Sequence, residues 1–205
     1  MRITVFGATG RTGRHLLAEG LRRGHQLTAF TRRPDALADP AALAGVVVGD
    51  ARDPAAVRKA VDGAEAVISV IGAERRKGPY PVAEATAAIA EAMADLGVRR
   101  LVVTSPYGLV ADRPRLLAPL LRRWLAAPFA DASAMERAIA ASDLDWTVVR
   151  LPLLTNRPAR GRFRTSGELF ASGPYPLARA DAATALFDIA EAATFARTAV
   201  NVAAA

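Results

Sequence analysis

The chain has 205 residues, an apolar fraction of 52% and a net charge of +7, a size and balance suited to one α/β domain. Zero cysteines exclude disulfides, thiolate metal sites and a cysteine nucleophile, and two histidines, His15 and His25, are too few for a histidine-built metal centre, so no metal is expected. All the basic residues except Lys59 and Lys77 are arginines, dispersed through helical segments rather than gathered in a tail, which favours a solvated surface and the steering of an anionic small molecule over a nucleic-acid partner.

In chain order, residues 2 to 6 predict a buried strand, and "GATGRTG" follows with Gly7, Gly10 and Gly13 in a strand-to-helix turn. A helix over 12–23 carries Leu16, Leu17 and Leu21 on one side and stops at Gly24. Further strands are predicted at Leu27 to Phe30, Val46 to Val48, Ala66 to Ile71, Leu101 to Val103, Trp146 to Leu151 and Ala199 to Val202. The helices between them fall at 54–61, with Asp53 as cap and Pro54 in the first turn, at 81–97, at about 130–142 and at 181–194.

Strands that are apolar throughout, alternating with helices, predict a parallel sheet covered on both faces. The expected fold is a Rossmann-type, doubly wound, three-layer αβα domain occupying residues 1–205. Two stretches break the rhythm, at about 105–128 and 152–178; both follow late strands, so they are expected at the carboxyl edge of the sheet as a small substrate-side cap, plain surface connections being the alternative. No apolar run of about 18 residues and no signal-peptide succession is present, so neither a membrane partner nor export is expected, and the location is expected to be cytoplasmic.

A glycine loop of this kind, after a first strand and before an amphipathic helix, is a phosphate cradle. Gly7 allows the sharp turn, Gly10 allows close approach of a pyrophosphate, Gly13 allows tight helix packing on the sheet, and the helix aims unpaired amides at the ligand. Thr9, Arg11 and Thr12 lie within the same loop, with Arg11 expected over the adenine end of the ligand. At the end of the second strand, where an NAD site places a carboxylate, "AFTRRP" offers Arg32 and Arg33, which suit the 2′-phosphate of NADPH or else decorate a solvated turn. Asp50 in "VVVGD" stands where an adenine contact or a helix cap belongs.

Other residues also admit two readings. Ser105 either hydrogen-bonds an acceptor or closes a strand, and Tyr107 either donates a hydrogen bond near the nicotinamide or packs a loop. Arg157, Arg160, Arg162 and Arg164 around Phe163 form a solvated hairpin or a lure for an anionic acceptor, and Arg75, Arg76 and Lys77 close over the phosphates or stay exposed. The Arg- and Leu-rich stretch before Phe129 caps the sheet, or else meets a membrane or a second subunit. His15 and His25 are expected to be exposed and incidental. Four residues after Tyr80, Tyr107 and Tyr175 come Glu84, Ala111 and Arg179, so the Tyr-x-x-x-Lys pair that activates a phenol is missing.

The succession "VFGATGRTG", "TRRP", "VVVGD", "AVISVIG", "LVVTS" and "SDLDWTVVRLPLLT" resembles the atypical short-chain dehydrogenase/reductases of the NAD(P)H-binding type, the flavin reductase and biliverdin-IX beta reductase group among them, over nearly the whole chain. The resemblance implies that Gly7 to Gly13 hold the pyrophosphate, Arg32 and Arg33 the 2′-phosphate, and Asp50 and Ala51 the adenine. It also implies that Ile71 and Gly72 run beside the nicotinamide ribose, and that Thr104, Ser105, Pro152 and Leu153 border the nicotinamide and the substrate. Those reductases carry a histidine where this chain has Leu153. Without an activated tyrosine, hydride transfer from NADPH to a conjugated acceptor of flavin, quinone or tetrapyrrole type is the expected reaction. The alternative is a non-catalytic NAD(P)H-sensing regulator of the NmrA-like type.

Overall fold

The computed structural model describes residues 1–72, 81–111, 123–170 and 175–205. The strands are β1 (Arg2–Phe6), β2 (Gln26–Thr31), β3 (Gly45–Val48), β4 (Ala66–Ser69), β5 (Arg100–Pro106), β6 (Asp145–Leu151), β7 (Leu154–Thr155), β8 (Phe163–Ser166), β9 (Leu177–Ala178) and β10 (Thr198–Ala204). The α-helices are α1 (Gly13–Arg22), α2 (Pro54–Val61), α3 (Val82–Asp95), α4 (Ala126–Ala140) and α5 (Arg179–Ala192). Eight strands form one sheet in the order β3-β2-β1-β4-β5-β6-β10-β8, and β7 pairs with β9 in a separate two-stranded piece. This is the doubly wound arrangement expected from the sequence, with both faces covered.

Each central strand sends alternate residues to opposite faces, and both faces are apolar. Ile3, Val5, Leu27, Ala29, Ile68, Val102 and Val149 pack with Leu16 and Leu17 of α1 and Leu186, Phe187 and Ile189 of α5. On the other face Phe6, Phe30, Val67, Leu101, Val103 and Val148 pack with Val57, Ile89, Met93, Met135 and Ile139 of α2, α3 and α4. Full burial of such a side chain contributes about 1.5–3 kcal/mol. Asp53 caps α2 as its position suggests, accepting the Ala55 amide at 3.0 Å.

Three departures from the sequence reading have physical causes. Helix α4 begins at Ala126 rather than near 130, because Pro128 sits in its first turn, where its missing amide has no partner to lose. Phe163–Ser166 is not part of a cap: β8 joins the main sheet as an antiparallel edge strand, with Val202 opposite Thr165 and Ala203 opposite Arg164. His25 is not exposed. Its ring is stacked on Phe187, with 5.2 Å between centroids, and its Nε2 lies 2.6 Å from Glu191, inside a network where Arg23 ties Glu19 of α1 to Asp188 and Glu191 of α5.

The strand order reverses at β1, which has β2 on one side and β4 on the other. A crevice opens at such a switch point beyond the carboxyl ends of the strands. The turn after β1 and the turn after β4 therefore face each other, and the Val70 amide donates to Phe6 O at 3.0 Å.

Candidate functional site

Gly7 leaves β1 with φ +80°, and a side chain on it would meet the Val70 backbone at 3.0 Å, so the turn accepts glycine alone. The Gly10 amide donates to Gly7 O at 2.9 Å and closes the loop. Gly13 opens α1; a Cβ there would overlap Gly7 O and lie 2.6 Å from Ala8 O. The third glycine thus packs the helix start onto the loop's own backbone, not onto the sheet as expected. Among the described residues no side chain caps α1; the Arg14 amide donates to Gly10 O at 3.1 Å, and the partial positive charge of the helix start remains for a ligand.

The loop is tied to the end of β2. Thr9 and Thr31 share a buried hydrogen bond of 2.9 Å between their hydroxyls, and Thr31 Oγ1 also accepts the Arg33 amide at 3.0 Å. Arg32 and Arg33 are exposed and line the same cavity as the glycine loop. Beyond β3, Asp50 accepts from Arg52, with Arg52 Nη2 at 2.8 Å, Nε at 3.0 Å and the amide at 2.9 Å. These bonds, chiefly those from the Arg52 side chain, lower the Asp50 carboxyl to about 2, and the charge of Arg32 adds to the effect. Asp50 borders the cavity with its carboxylate committed to Arg52 rather than bare.

The cavity occupies about 1270 Å³ at the switch point. Of the expected site residues it gathers Gly7, Thr9, Gly10, Arg11, Thr12, Arg32, Arg33, Asp50, Ala51, Ile71 and Gly72. It also takes in Arg14, His15, Arg52, Asn156 and Arg179, which the sequence reading passed over or, for His15, set aside. Arg14 and His15 were within reach of that reading, since they occupy the first turn of the helix that the loop opens. Arg179 was not, because it arrives from the far end of the chain.

Among the described lining residues stand six arginines, at 11, 14, 32, 33, 52 and 179, against one carboxylate, Asp50. Such a field suits a polyanion. A dinucleotide with a pyrophosphate and a 2′-phosphate fits this donor set: loop amides and Arg11 for the first, Arg32 and Arg33 for the second.

Ser105, Tyr107, Thr104 and Leu153, expected toward the nicotinamide and the substrate, are not among the residues that line this cavity. Ser105 is buried and donates to Glu136 Oε1 at 2.5 Å, and the same carboxylate accepts from Arg150 Nη2 at 2.6 Å. Tyr107 is buried, stacked on Phe170, and its hydroxyl oxygen accepts the Phe170 amide at 3.4 Å. Thr104 donates to Ser69 O at 3.5 Å, and Leu153 is 72% exposed. Gly13 and Pro152 do not line the cavity either.

Arg164 lies over the Phe170 ring at 4.6 Å and the Arg160 amide donates to Asp181 at 3.0 Å, so the arginine-rich segment is anchored while Arg157, Arg160 and Arg162 are exposed. Arg75, Arg76, Lys77, Tyr80 and the Arg- and Leu-rich residues 112–122 lie outside the described residues. Among the described residues no group of three or more histidines and carboxylates is placed to hold a metal, and no helix is long and apolar enough to cross a membrane.

The fold and cavity together define a Rossmann-type dinucleotide-binding protein. The chain belongs to the NAD(P)H-binding family, whose model matches residues 7–193. A 3-diazoavenalumate denitrifying reductase of Streptomyces sp is 35% identical over 210 residues, covering 91% of this chain and 67% of that protein. In fold, the chain resembles the anaerobilin reductase ChuY of Escherichia coli O157:H7, with a TM-score of 0.85 at 21% identity, covering 100% of this chain and 97% of that one. A short-chain dehydrogenase/reductase of Veillonella parvula in complex with NADP gives 0.82 at 24% identity, covering 98% and 94%. The chain spans only 46% and 15% of the length of two further curated relatives that it matches.

Proposed function

We propose that this chain is an NADPH-dependent reductase that passes hydride to a conjugated small-molecule acceptor of flavin, quinone or tetrapyrrole type. The observation that carries the reading is the cavity at the mouth of a glycine loop, whose described lining holds six arginines and one carboxylate. Loop amides and Arg11 take the pyrophosphate, Arg32 and Arg33 take the 2′-phosphate, and Ala51 with the Asp50–Arg52 pair flanks the adenine. Ile71 and Gly72 run beside the nicotinamide ribose, while Thr104, Pro152 and Leu153 border the acceptor entrance.

When bound, the reduced nicotinamide supplies the hydride, and the protein contributes position and exclusion of water. Because the Ser105 hydroxyl donates its proton to Glu136 and Tyr107 is buried against Phe170, the acceptor takes its proton from solvent. That demand suits a conjugated system, which spreads the incoming charge. The similarity to the Streptomyces reductase supports the reaction class. The test is NADPH oxidation with a panel of such acceptors. Wild type is expected to exceed Gly10→Trp, whose loop is blocked, and equal rates across the whole panel refute an enzyme.

A second reading is an NAD(P)H-sensing regulator of the NmrA-like type, favoured by the same internal engagement of Ser105 and Tyr107. It requires a protein partner whose capture depends on the NADPH to NADP ratio, with no turnover of any acceptor.

A further inference from the structure

The two-stranded piece formed by β7 and β9 has no place in the layered core, yet it sets one contact with care. Its parallel register puts Leu154 opposite Leu177 and Thr155 opposite Ala178. The next step brings Asn156 beside Arg179, and Arg179 Nη1 donates to Asn156 Oδ1 at 2.6 Å. The chain beyond Asn156 is fastened over the first turn of α5, where the Asp181 carboxylate accepts the amides of Arg160 at 3.0 Å and Gly161 at 2.9 Å. Arg179 is thereby fixed from two sides.

Arg179 is only 9% exposed, and what it exposes lines the cavity. Among the described residues Asn156 is its one side-chain hydrogen-bond partner, and no carboxylate lies within ion-pair distance of it. Burial, and after it the charge of Arg11, pushes its guanidinium below the usual arginine range. A buried cation that, among the described residues, has another cation nearby and no paired anion is costly unless a counter-charge is supplied.

We propose that Arg179, aligned by Asn156, forms with Arg11 a two-guanidinium clamp that holds the diphosphate of the dinucleotide against the glycine-loop amides. The clamp rests on the dinucleotide reading of the cavity. Arg11 contributes from within the loop, and Arg179 from the start of α5. The β7–β9 pairing is the device that delivers the second guanidinium. Unlike Arg32 and Arg33, which discriminate between the two nicotinamide carriers, this pair serves the part that NADPH and NADH share.

The test is calorimetric titration of wild type, Arg179→Gln, Arg179→Lys and Asn156→Ala with NADPH, NADH and adenosine 2′-monophosphate, together with thermal melts in inorganic pyrophosphate. Arg179→Gln is expected to weaken NADPH and NADH by the same factor, roughly tenfold or more, the scale of charge-assisted hydrogen bonds. Adenosine 2′-monophosphate binding stays unchanged, and the ligand-free melting temperature is equal or higher because an uncompensated buried charge is gone. Arg179→Lys and Asn156→Ala fall between wild type and Arg179→Gln.

The clamp is overturned if both dinucleotides bind Arg179→Gln as tightly as wild type while only the KM of an anionic acceptor rises, which assigns the guanidinium to the acceptor. It is equally overturned if Arg179→Gln lowers the ligand-free melting temperature and Arg179→Lys restores no affinity, which marks a structural arginine. Should wild type bind neither dinucleotide, the proposed function fails, and the clamp is judged on pyrophosphate alone. Stabilisation by pyrophosphate that vanishes in Arg179→Gln then supports it, and its absence refutes it.

Discussion

The hydroxyls of Thr9 and Thr31 meet at 2.9 Å beneath the cavity and join the phosphate loop to the strand end that carries Arg32 and Arg33. Both threonines are buried, at 9% and 4% exposure, at the wall of the cavity. Thr31→Val leaves the Thr9 hydroxyl without its partner and the Arg33 amide without its acceptor, at a cost of about 1–2 kcal/mol in denaturant melts. The same change loosens the arginine turn relative to the loop, so NADPH affinity is expected to fall by more than NADH affinity in parallel titrations.

Gly13 and Gly167 offer a matched pair. A Cβ on Gly13 would overlap Gly7 O, whereas one on Gly167 meets nothing within 4 Å. Gly13→Ala is therefore expected to shift the loop or the start of α1, abolish dinucleotide binding and cost about 1–3 kcal/mol, the range of an overpacked site. Gly167→Ala should match wild type in both melts and titrations.

The bond from Ser105 to Glu136 predicts a structural serine. Ser105→Ala removes one donor from a carboxylate that keeps Arg150, with a loss of about 1 kcal/mol and no change in dinucleotide affinity. Glu136→Gln leaves the partly buried Arg150 without its ion-pair partner and is expected to cost more. A fall in turnover of a hundredfold or more in Ser105→Ala, with unchanged stability, would instead place the serine hydroxyl at the acceptor.

Glu19 sets an acid limit on the α1–α5 contact. Its hydrogen bond from Arg22 is the chief favourable cause, joined by Arg23 and opposed by burial, and the carboxyl is lowered from 4.5 to about 2. A carboxylate depressed on folding contributes stability that is complete above its unfolded value and is lost as pH falls through its folded value. Wild type should therefore exceed Glu19→Gln by on the order of 1 kcal/mol at neutral pH. The difference should shrink between about pH 4.5 and about pH 2 and vanish below. A constant difference down to pH 2 would mean that the side chain acts by packing rather than charge.

Much of this site could be read from the chain because its parts are local. The loop from Gly7 to Gly13 needs three glycines at fixed spacing, and Arg32 and Arg33 follow directly on an apolar strand, so sequence distance stands in for spatial distance. Arg179 and Asn156 escaped for the opposite reason. They are 23 residues apart, and only the β7–β9 register, carried by strands of two residues each, brings them together. The β8 strand escaped because its "FRTS" segment is half-buried throughout and lacks the apolar alternation of an inner strand. His25 looked exposed because its burial depends on Phe187 and Glu191, which lie far along the chain.

The central claim is recognition of a doubly phosphorylated adenosine by guanidinium groups at the end of β2. The most direct measurement is calorimetric titration of wild type and the Arg32→Ala/Arg33→Ala double variant with NADPH and with NADH. Wild type is expected to bind NADPH at least about tenfold more tightly than NADH, and the double variant to lose that preference while its NADH affinity holds. Equal affinity of wild type for the two carriers, or a preference for NADPH that survives the double substitution, would contradict the account.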